Sequence, residues 1–287
     1  MKKNLTIVIS IIISLLAAKT NQSNAQSFYF GLIGGYGLSA ASQNIATETS
    51  YVNSTLVYSY DDKMVKGSFG EGINTGIVVG DMINSKIGIE LSINYLIGKK
   101  FAGSEDDHRT YSKKYQSAVT MLRLTPGLKL TTGSEKTNAY ARAGMILGLG
   151  GKKKYLEDYD YKTNGVVTQK IYHEVNLTGG LSIGFMGALG VEVPLGGSCK
   201  FFTELNFISQ SWAPTNGKTT TFTVDGIDKL STLNTREKET NYVSSYSYSS
   251  SQYDPNQPSK YLKTYLPMSS IGLNFGLHLM LGKKKSN

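Results

Sequence analysis

Hydrophobic and small polar residues alternate without interruption in the stretch IGIELSINYLIG, residues 87–98. The odd positions are all large and apolar, and the even positions hold mostly Gly, Ser and Asn together with Glu90. Alternation with a period of two predicts a β-strand that presents one apolar face. A water-facing second face would usually carry long polar side chains, so the small second face of this strand needs another explanation.

Seven further stretches alternate in the same way, and together with the first they predict eight strands. The eight predicted strands span approximately residues 28–38, 68–80, 87–98, 118–131, 139–150, 176–193, 200–209 and 269–282. All are longer than the roughly 5–6 residues of a typical soluble strand. Each reaches the roughly 9–11 tilted residues that a strand needs to cross a bilayer.

The connections between these strands alternate between short and long. The short ones are 81–86, 132–138 and 195–199, and the long ones are about 39–67, 99–117, 151–175 and 210–268. Short turns at one end and long loops at the other are typical of bacterial outer-membrane barrels, whose short turns face the periplasm. The chain is therefore predicted to be all-β, a closed eight-stranded antiparallel transmembrane barrel with both termini in the periplasm.

Six charged residues punctuate the small face of the predicted strands: Glu90, Arg123, Lys129, Arg142, Glu192 and Glu204. A soluble barrel buries its apolar face instead, but its outer face would then carry long polar chains throughout. An eight-stranded barrel is only wide enough inside for side chains to fill it, which suits small residues beside a few long ones. We therefore expect the apolar face to contact lipid and the six charges to pair within the lumen. Such a network either fills the barrel or acts as a gate for water and small ions.

The N-terminus and the composition fit an exported protein. Lys2 and Lys3 precede an apolar run that ends near Ala18, and small residues follow, so residues 1–25 are predicted to be a signal peptide and 26–287 the barrel. Gly and Tyr are abundant, at 31 and 19 residues, and Pro is rare, at 6. The single Cys199 excludes an intrachain disulfide. The net charge of +9 includes three leader lysines, and the remaining basic residues form no stripe that would indicate a nucleic-acid partner.

Several aromatic and polar residues are candidates for contacts outside the lumen. Phe28, Tyr95, Phe101, Phe201 and Tyr265 lie near strand ends and are predicted to form the aromatic girdles at the membrane interfaces. Tyr242, Tyr246, Tyr248 and Tyr253 lie in the longest loop and are candidates for a binding surface. The basic stretch GKKKY, 151–155, either pairs with lipopolysaccharide phosphates or is simply solvated. His108, His173 and His278 are dispersed, so no metal, cofactor or catalytic residue is predicted.

Several motifs of this chain together resemble one protein family. They are NAQS, FYFGLIGGYG, LRLTPGLKL, YARAGMILGLG, GALGVEVPL and SSIGLNFGLHLML. The chain is similar to the small eight-stranded outer-membrane β-barrel proteins of Gram-negative bacteria, of the OmpA/OmpX/OmpW type, and most of all to the outer-membrane β-barrel domain family of Bacteroidetes. The resemblance implies a porin-like cell-surface protein that meets the barrel-assembly machinery during biogenesis. The chain departs from the family at its last strand, which ends on Leu281 where Phe or Tyr is usual.

The pattern and the resemblance together predict a non-enzymatic protein. Its expected role is structural or is binding through the extracellular loops, with outer-membrane lipid and lipopolysaccharide as partners. Two alternatives stay open. The barrel is a narrow channel for small solutes, or it is an accessory subunit of a larger secretion or uptake complex.

Overall fold

A computed structural model describes residues 27–54, 57–134, 136–247 and 253–281, and within them the chain is almost entirely β-structure. The predicted signal peptide lies outside the described residues. The strands are β1 (Ser27–Ser39), β2 (Gln43–Ser54), β3 (Val57–Gly67), β4 (Gly72–Met82), β5 (Ile87–Gly98), β6 (Phe101–Asp106), β7 (Tyr111–Thr131), β8 (Asn138–Thr163), β9 (Val166–Thr178), β10 (Ser182–Gly196), β11 (Cys199–Trp212), β12 (Asn216–Val224), β13 (Ile227–Asp228), β14 (Glu239–Val243), β15 (Ser259–Leu262), β16 (Leu266–Pro267) and β17 (Ser270–Met280).

Within the described residues, helical structure is limited to two short segments, a 3-10 turn at Leu230–Thr232 and the single-turn helix α1 at Thr235–Lys238. Asn234 begins α1 with a capping box, since its side chain accepts the Glu237 N–H while Glu237 accepts the Asn234 N–H. None of the helical segments in the described ranges is long and apolar enough to cross a membrane.

The 17 strands of the described residues join in one mixed sheet, in which β2–β6 and β14–β15 are parallel. Within this sheet, antiparallel pairings lead from β1 through β4, β5, β7, β8, β10, β11 and β17, and β17 pairs again with β1. We call these strands the circuit. Its lower end carries the short turns and its upper end the long connections. The all-β prediction is confirmed, but the sheet is larger than the eight strands predicted.

The regions predicted as long loops are mostly strand, which corrects the sequence interpretation. The strands β2, β3 and β6 lie within these regions. The strands β7 and β8, which are 21 and 26 residues long, also continue into them above the circuit. Beyond β8 the sheet extends through β9 and β12 to β14 and β15. We call this extension the upper sheet. Both faces of the upper sheet carry many polar residues, so the alternation of apolar and polar residues that reveals a half-buried strand is missing.

The predicted strand over 176–193 is also wrong, because two strands share that range. Gly179 and Gly180 have φ values of +82° and +77°, a conformation that other residues rarely adopt. They end β9 at Thr178 and turn the chain into β10 at Ser182. The indole of Trp212 donates to the Gly179 carbonyl at 2.8 Å, which holds this break against the upper end of the circuit.

Burial follows the predicted division between the two faces of the circuit strands. Leu32, Phe185 and Leu189 on the apolar face are 55%, 66% and 67% exposed, whereas the six predicted lumen charges are each at most 8% exposed. Hydrophobic residues are thus outside and charged residues inside, the reverse of a water-soluble globule.

A separate apolar cluster fills the upper end of the interior. Its buried members are Phe69, Leu96, Phe101, Val119, Met121, Trp212 and Met268, and we call them the upper cluster. Phe69 belongs to the link between β3 and β4, which folds inward and donates its backbone N–H to the Pro267 carbonyl at 2.8 Å. Inward folding of this link gives the cluster its central ring.

Candidate functional site

The interior between the upper cluster and the lower turns holds a charged network built from the inward face of the circuit. Small residues leave the space for it. A Cβ at Gly190 would meet the Tyr140 ring at 2.5 Å, and one at Gly80 would overlap the Tyr29 ring. Because these glycines face inward, both tyrosines can lie across the interior, where they are 5% and 1% exposed. The glycines that look like strand breakers in the sequence therefore make room for side chains.

Arg142 on β8 bridges two carboxylates from opposite sides of the interior. One terminal nitrogen lies 3.1 Å from Glu90 Oε2 on β5 and the other lies 2.9 Å from Glu204 Oε1 on β11. The Tyr29 hydroxyl donates to Glu90, and the Tyr140 hydroxyl donates to Glu204 at 3.0 Å. Each carboxylate therefore has a cationic and a neutral donor, which offsets the cost of burying its charge.

Lys129 on β7 continues the network toward the lower end. It is paired with Glu192 on β10 and lies 3.8 Å from Glu90. His278 Nδ1 lies 2.9 Å from Glu192 Oε1, and the imidazole stacks on Phe202 with 4.3 Å between ring centroids. Lys129 also lies over the rings of both inward tyrosines at under 5 Å. The network thus fastens β1, β5, β7, β8, β10, β11 and β17 to one another.

Arg123 does not join this network, contrary to the expectation that every interior charge meets one of opposite sign. It is 1% exposed, and its guanidinium donates to Gln210 Oε1 at 2.9 Å, Asn74 Oδ1 at 3.0 Å and the Met268 carbonyl at 3.2 Å. Within the described residues it has no carboxylate partner. Arg123 ties the upper cluster to the circuit through neutral acceptors. It meets neutral groups because it lies higher along the strands than the acidic residues.

The remaining tyrosines and asparagines of the network were not singled out from the sequence, because these residue types carry no mark of their role in a single sequence. Asn274 donates to Glu204 at 2.9 Å and Asn138 donates to Glu192 at 3.4 Å. Their inward positions in the period-two pattern were the available signal. The described residues hold no group of three or more His, Cys, Asp and Glu side chains suited to a metal ion.

The predicted aromatic girdle is only partly placed at the surface. Phe28 and Phe201 are 36% and 38% exposed near the lower end, while Tyr95 and Tyr265 are 43% and 67% exposed toward the upper end. Phe101 is wrong as a girdle residue. It is 5% exposed and packs edge-on against Phe69 in the upper cluster, with 5.7 Å between ring centroids. The inward link that carries Phe69 supplies the partner that sequence reasoning could not foresee.

The loop tyrosines have different surroundings. Tyr246 and Tyr253 are 43% and 61% exposed, and Arg236 lies 5.0 Å from the centroid of the Tyr253 ring. Tyr242 is half-buried on β14 beside Tyr261, and its burial raises its pKa. Tyr248 lies outside the described residues.

A second polar cluster lies in the upper sheet. The Glu157 carboxylate lies 2.8 Å from Lys113 Nζ, accepts a hydrogen bond from Tyr155 at 2.9 Å, and is 3.4 Å from His173 Nδ1. Burial opposes ionisation of Glu157, but these donors more than offset it and hold the pKa at about 2. His173 Nε2 also lies 3.0 Å from Thr219 Oγ1. The order hydroxyl, imidazole, carboxylate is that of a hydrolase triad, yet Thr219 is 4% exposed. The cluster therefore favours a structural role that joins β7, β8, β9 and β12.

His108 lies in the tight turn between β6 and β7. Its Nδ1 is 3.4 Å from Asp106, which also pairs with Lys162 at 2.9 Å. Asp107 accepts the backbone N–H groups of Arg109 and Thr110, as aspartate does in many turns. These acids shape the turn between β6 and β7.

Comparison with known proteins adds no relative: no family model matches the chain, and no characterised protein matches it significantly.

Proposed function

We propose that this protein is an integral outer-membrane protein whose circuit is a closed eight-stranded transmembrane barrel. The reversed arrangement, apolar outside and charged inside, is the observation that carries the proposal. The 11 residues of β4 rise by about 3.3 Å each, or about 36 Å. At a tilt of about 45° this gives a height near 26 Å, close to the apolar band of about 25 Å of known barrels.

The role that fits this barrel best is structural, or binding at the cell surface, rather than conduction. Two layers occupy its interior, the charge network below and the upper cluster above. A conducting path would need both to move, including the Phe69 link that is hydrogen-bonded to Pro267. The narrow channel for small solutes therefore becomes the less favoured alternative.

The upper sheet supplies the surface for binding in this proposal. It extends the barrel wall on the side of β7 and β8 and carries exposed aromatic residues such as Tyr246, Tyr253 and Tyr261. Exposed tyrosines are common at protein interfaces. On this view the lower turns face the periplasm, the upper sheet faces outward, and the exposed Lys152 and Lys154 lie near the lipopolysaccharide, whereas Lys153 packs over Phe69. If the protein is an accessory subunit, the partner that binds this surface is a larger outer-membrane complex.

Cysteine labelling on intact cells tests the membrane placement. In a Cys199→Ser background, Val166→Cys places a thiol at the exposed upper turn, and Lys136→Cys places a matched thiol in a lower turn. A membrane-impermeant maleimide should label the upper thiol on intact cells and the lower thiol only after the outer membrane is opened. Equal labelling of both on intact cells would contradict the proposed orientation.

Conductance and native purification separate the three roles. The wild-type barrel in a planar bilayer should show no discrete conductance, because both interior layers are closed. Steady unitary currents would favour the channel. Purification in mild detergent without denaturation should return a lone chain if the role is structural, whereas a stoichiometric companion would support the accessory-subunit version.

A further inference from the structure

A small cavity lined by polar and apolar side chains separates the upper cluster from the charge network. Its volume is about 30 Å³, room for one or two water molecules or one monatomic ion. Arg123 lines it from above and Arg142 from below, and asparagine side chains including Asn74, Asn94 and Asn206 supply further polar lining. Ile33, Ile146, Met186 and Ile208 contribute apolar walls. Two guanidinium groups therefore border one small cavity, and whereas Arg142 is paired with Glu90 and Glu204, Arg123 has no carboxylate partner in the described residues.

The two guanidinium groups bring only donors to the lining, while each asparagine brings both a donor and an acceptor. Arg142 Nε is buried and has no hydrogen-bond partner within the described residues. Asn74 uses its oxygen to accept from Arg123, which leaves its amide nitrogen available. Asn274 supplies the one buried acceptor without a partner, Oδ1, while its nitrogen donates to Glu204. An excess of N–H groups around a small space is the arrangement that binds an anion.

The charge distribution points the same way. Arg123 is 1% exposed and its three acceptors are all neutral, so its charge is balanced by no group in contact with it. Water in the cavity would satisfy donors but would place no negative charge in contact with Arg123, whereas an anion would. The network carboxylates Glu90 and Glu204 are already held by Arg142 and by tyrosines.

We propose that the cavity binds a single halide ion between Arg123 and Arg142. The cavity volume suits a monatomic anion better than the larger sulfate or phosphate. The ion completes the coordination of both guanidinium groups and stabilises the junction between the upper cluster and the network. It adds a ligand to the barrel interior and does not depend on what the upper sheet binds.

Bromide is the probe that tests this site. Crystals of the mature chain grown in bromide should show an anomalous peak beside Arg123 and Arg142. In detergent, the unfolding temperature should rise saturably with chloride or bromide at constant ionic strength, and should not rise with sulfate or gluconate. Absence of the peak at saturating bromide, or equal stability in chloride and gluconate, would overturn the proposal.

Asn94→Asp is the matched variant, because it places a fixed negative charge on the cavity wall with almost no change in volume. It should abolish both the anomalous peak and the chloride dependence. Lys153→Met removes a half-buried cation outside the cavity and should leave both unchanged. Chloride dependence that persists in Asn94→Asp would place the ion elsewhere and contradict the assignment. If that variant does not fold, the wild-type bromide map decides the question alone.

Discussion

Replacing Arg142 with methionine should strongly destabilise the circuit while leaving its apolar outer face unchanged. Arg142 is 4% exposed and is the cation shared by Glu90 and Glu204, at 3.1 and 2.9 Å. Methionine keeps most of the length of the side chain but supplies no donor. The substitution therefore isolates the charge and hydrogen bonds of the guanidinium from its packing volume.

The size of the effect follows from what each carboxylate retains. Breaking a buried ion pair by removing one partner typically costs about 3–5 kcal/mol. Glu204 keeps Tyr140 and Asn274, at 3.0 and 2.9 Å, and Glu90 keeps Tyr29 and the more distant Lys129. Because neutral donors stay with both carboxylates, we expect a loss of about 3–5 kcal/mol in total rather than that amount for each.

Urea unfolding of the mature chain from lipid vesicles measures this loss. Trp212 is the single tryptophan and is fully buried, so its fluorescence reports the upper end of the barrel directly. The double variant Arg142→Met with Glu204→Gln should recover about 1–3 kcal/mol through their coupling. Arg109→Met makes the same chemical change at an exposed position and should shift the free energy of unfolding by less than about 0.5 kcal/mol. A loss below about 1 kcal/mol with no coupling would refute a network held by Arg142.

Three further predictions concern the upper sheet and the outer face. Because folding lowers the pKa of Glu157 from 4.5 to about 2, its stabilisation is complete above pH 4.5 and is lost as the pH falls toward 2. Amide exchange in β8 and β9 should rise over that window, by up to about 3 kcal/mol of opening free energy; Glu157→Gln should remove this pH dependence. Burial lowers the pKa of Lys153 to about 8, so Lys153→Met should stabilise the fold at pH 7 by about 1–2 kcal/mol after loss of the cation–π contact with Phe69. The gain should vanish above pH 10.5 in urea titrations, and an unchanged gain there would contradict a charge effect. Phe185→Arg on the exposed belt should cost about 2–4 kcal/mol in vesicles if that face meets lipid. No cost would count against the membrane placement.

The comparison of sequence and structure shows which physical signals are local. Alternation in IGIELSINYLIG predicted a strand over 87–98, and β5 has those bounds. It also assigned Glu90 to the buried face, because the period of two fixes the side on which each side chain lies. The circuit strands have such contrast between faces. The strands of the upper sheet lack this contrast, since a sheet exposed to water on both faces needs no alternation of apolar residues. The sequence pattern therefore predicts loops there.

What the sequence determined alone is therefore the strand period, the inside-out division of apolar and charged residues, and the presence of interior charges in need of partners. Only the tertiary structure decided which residues the interior charges pair with. Arg142 meets Glu90 and Glu204 across 52 and 62 residues of sequence, whereas Arg123 meets amides and a carbonyl instead of an acid. Phe101 turned inward because the Phe69 link folds into the barrel. Such choices depend on register and on the height of each residue across non-neighbouring strands, which a period along one strand does not encode.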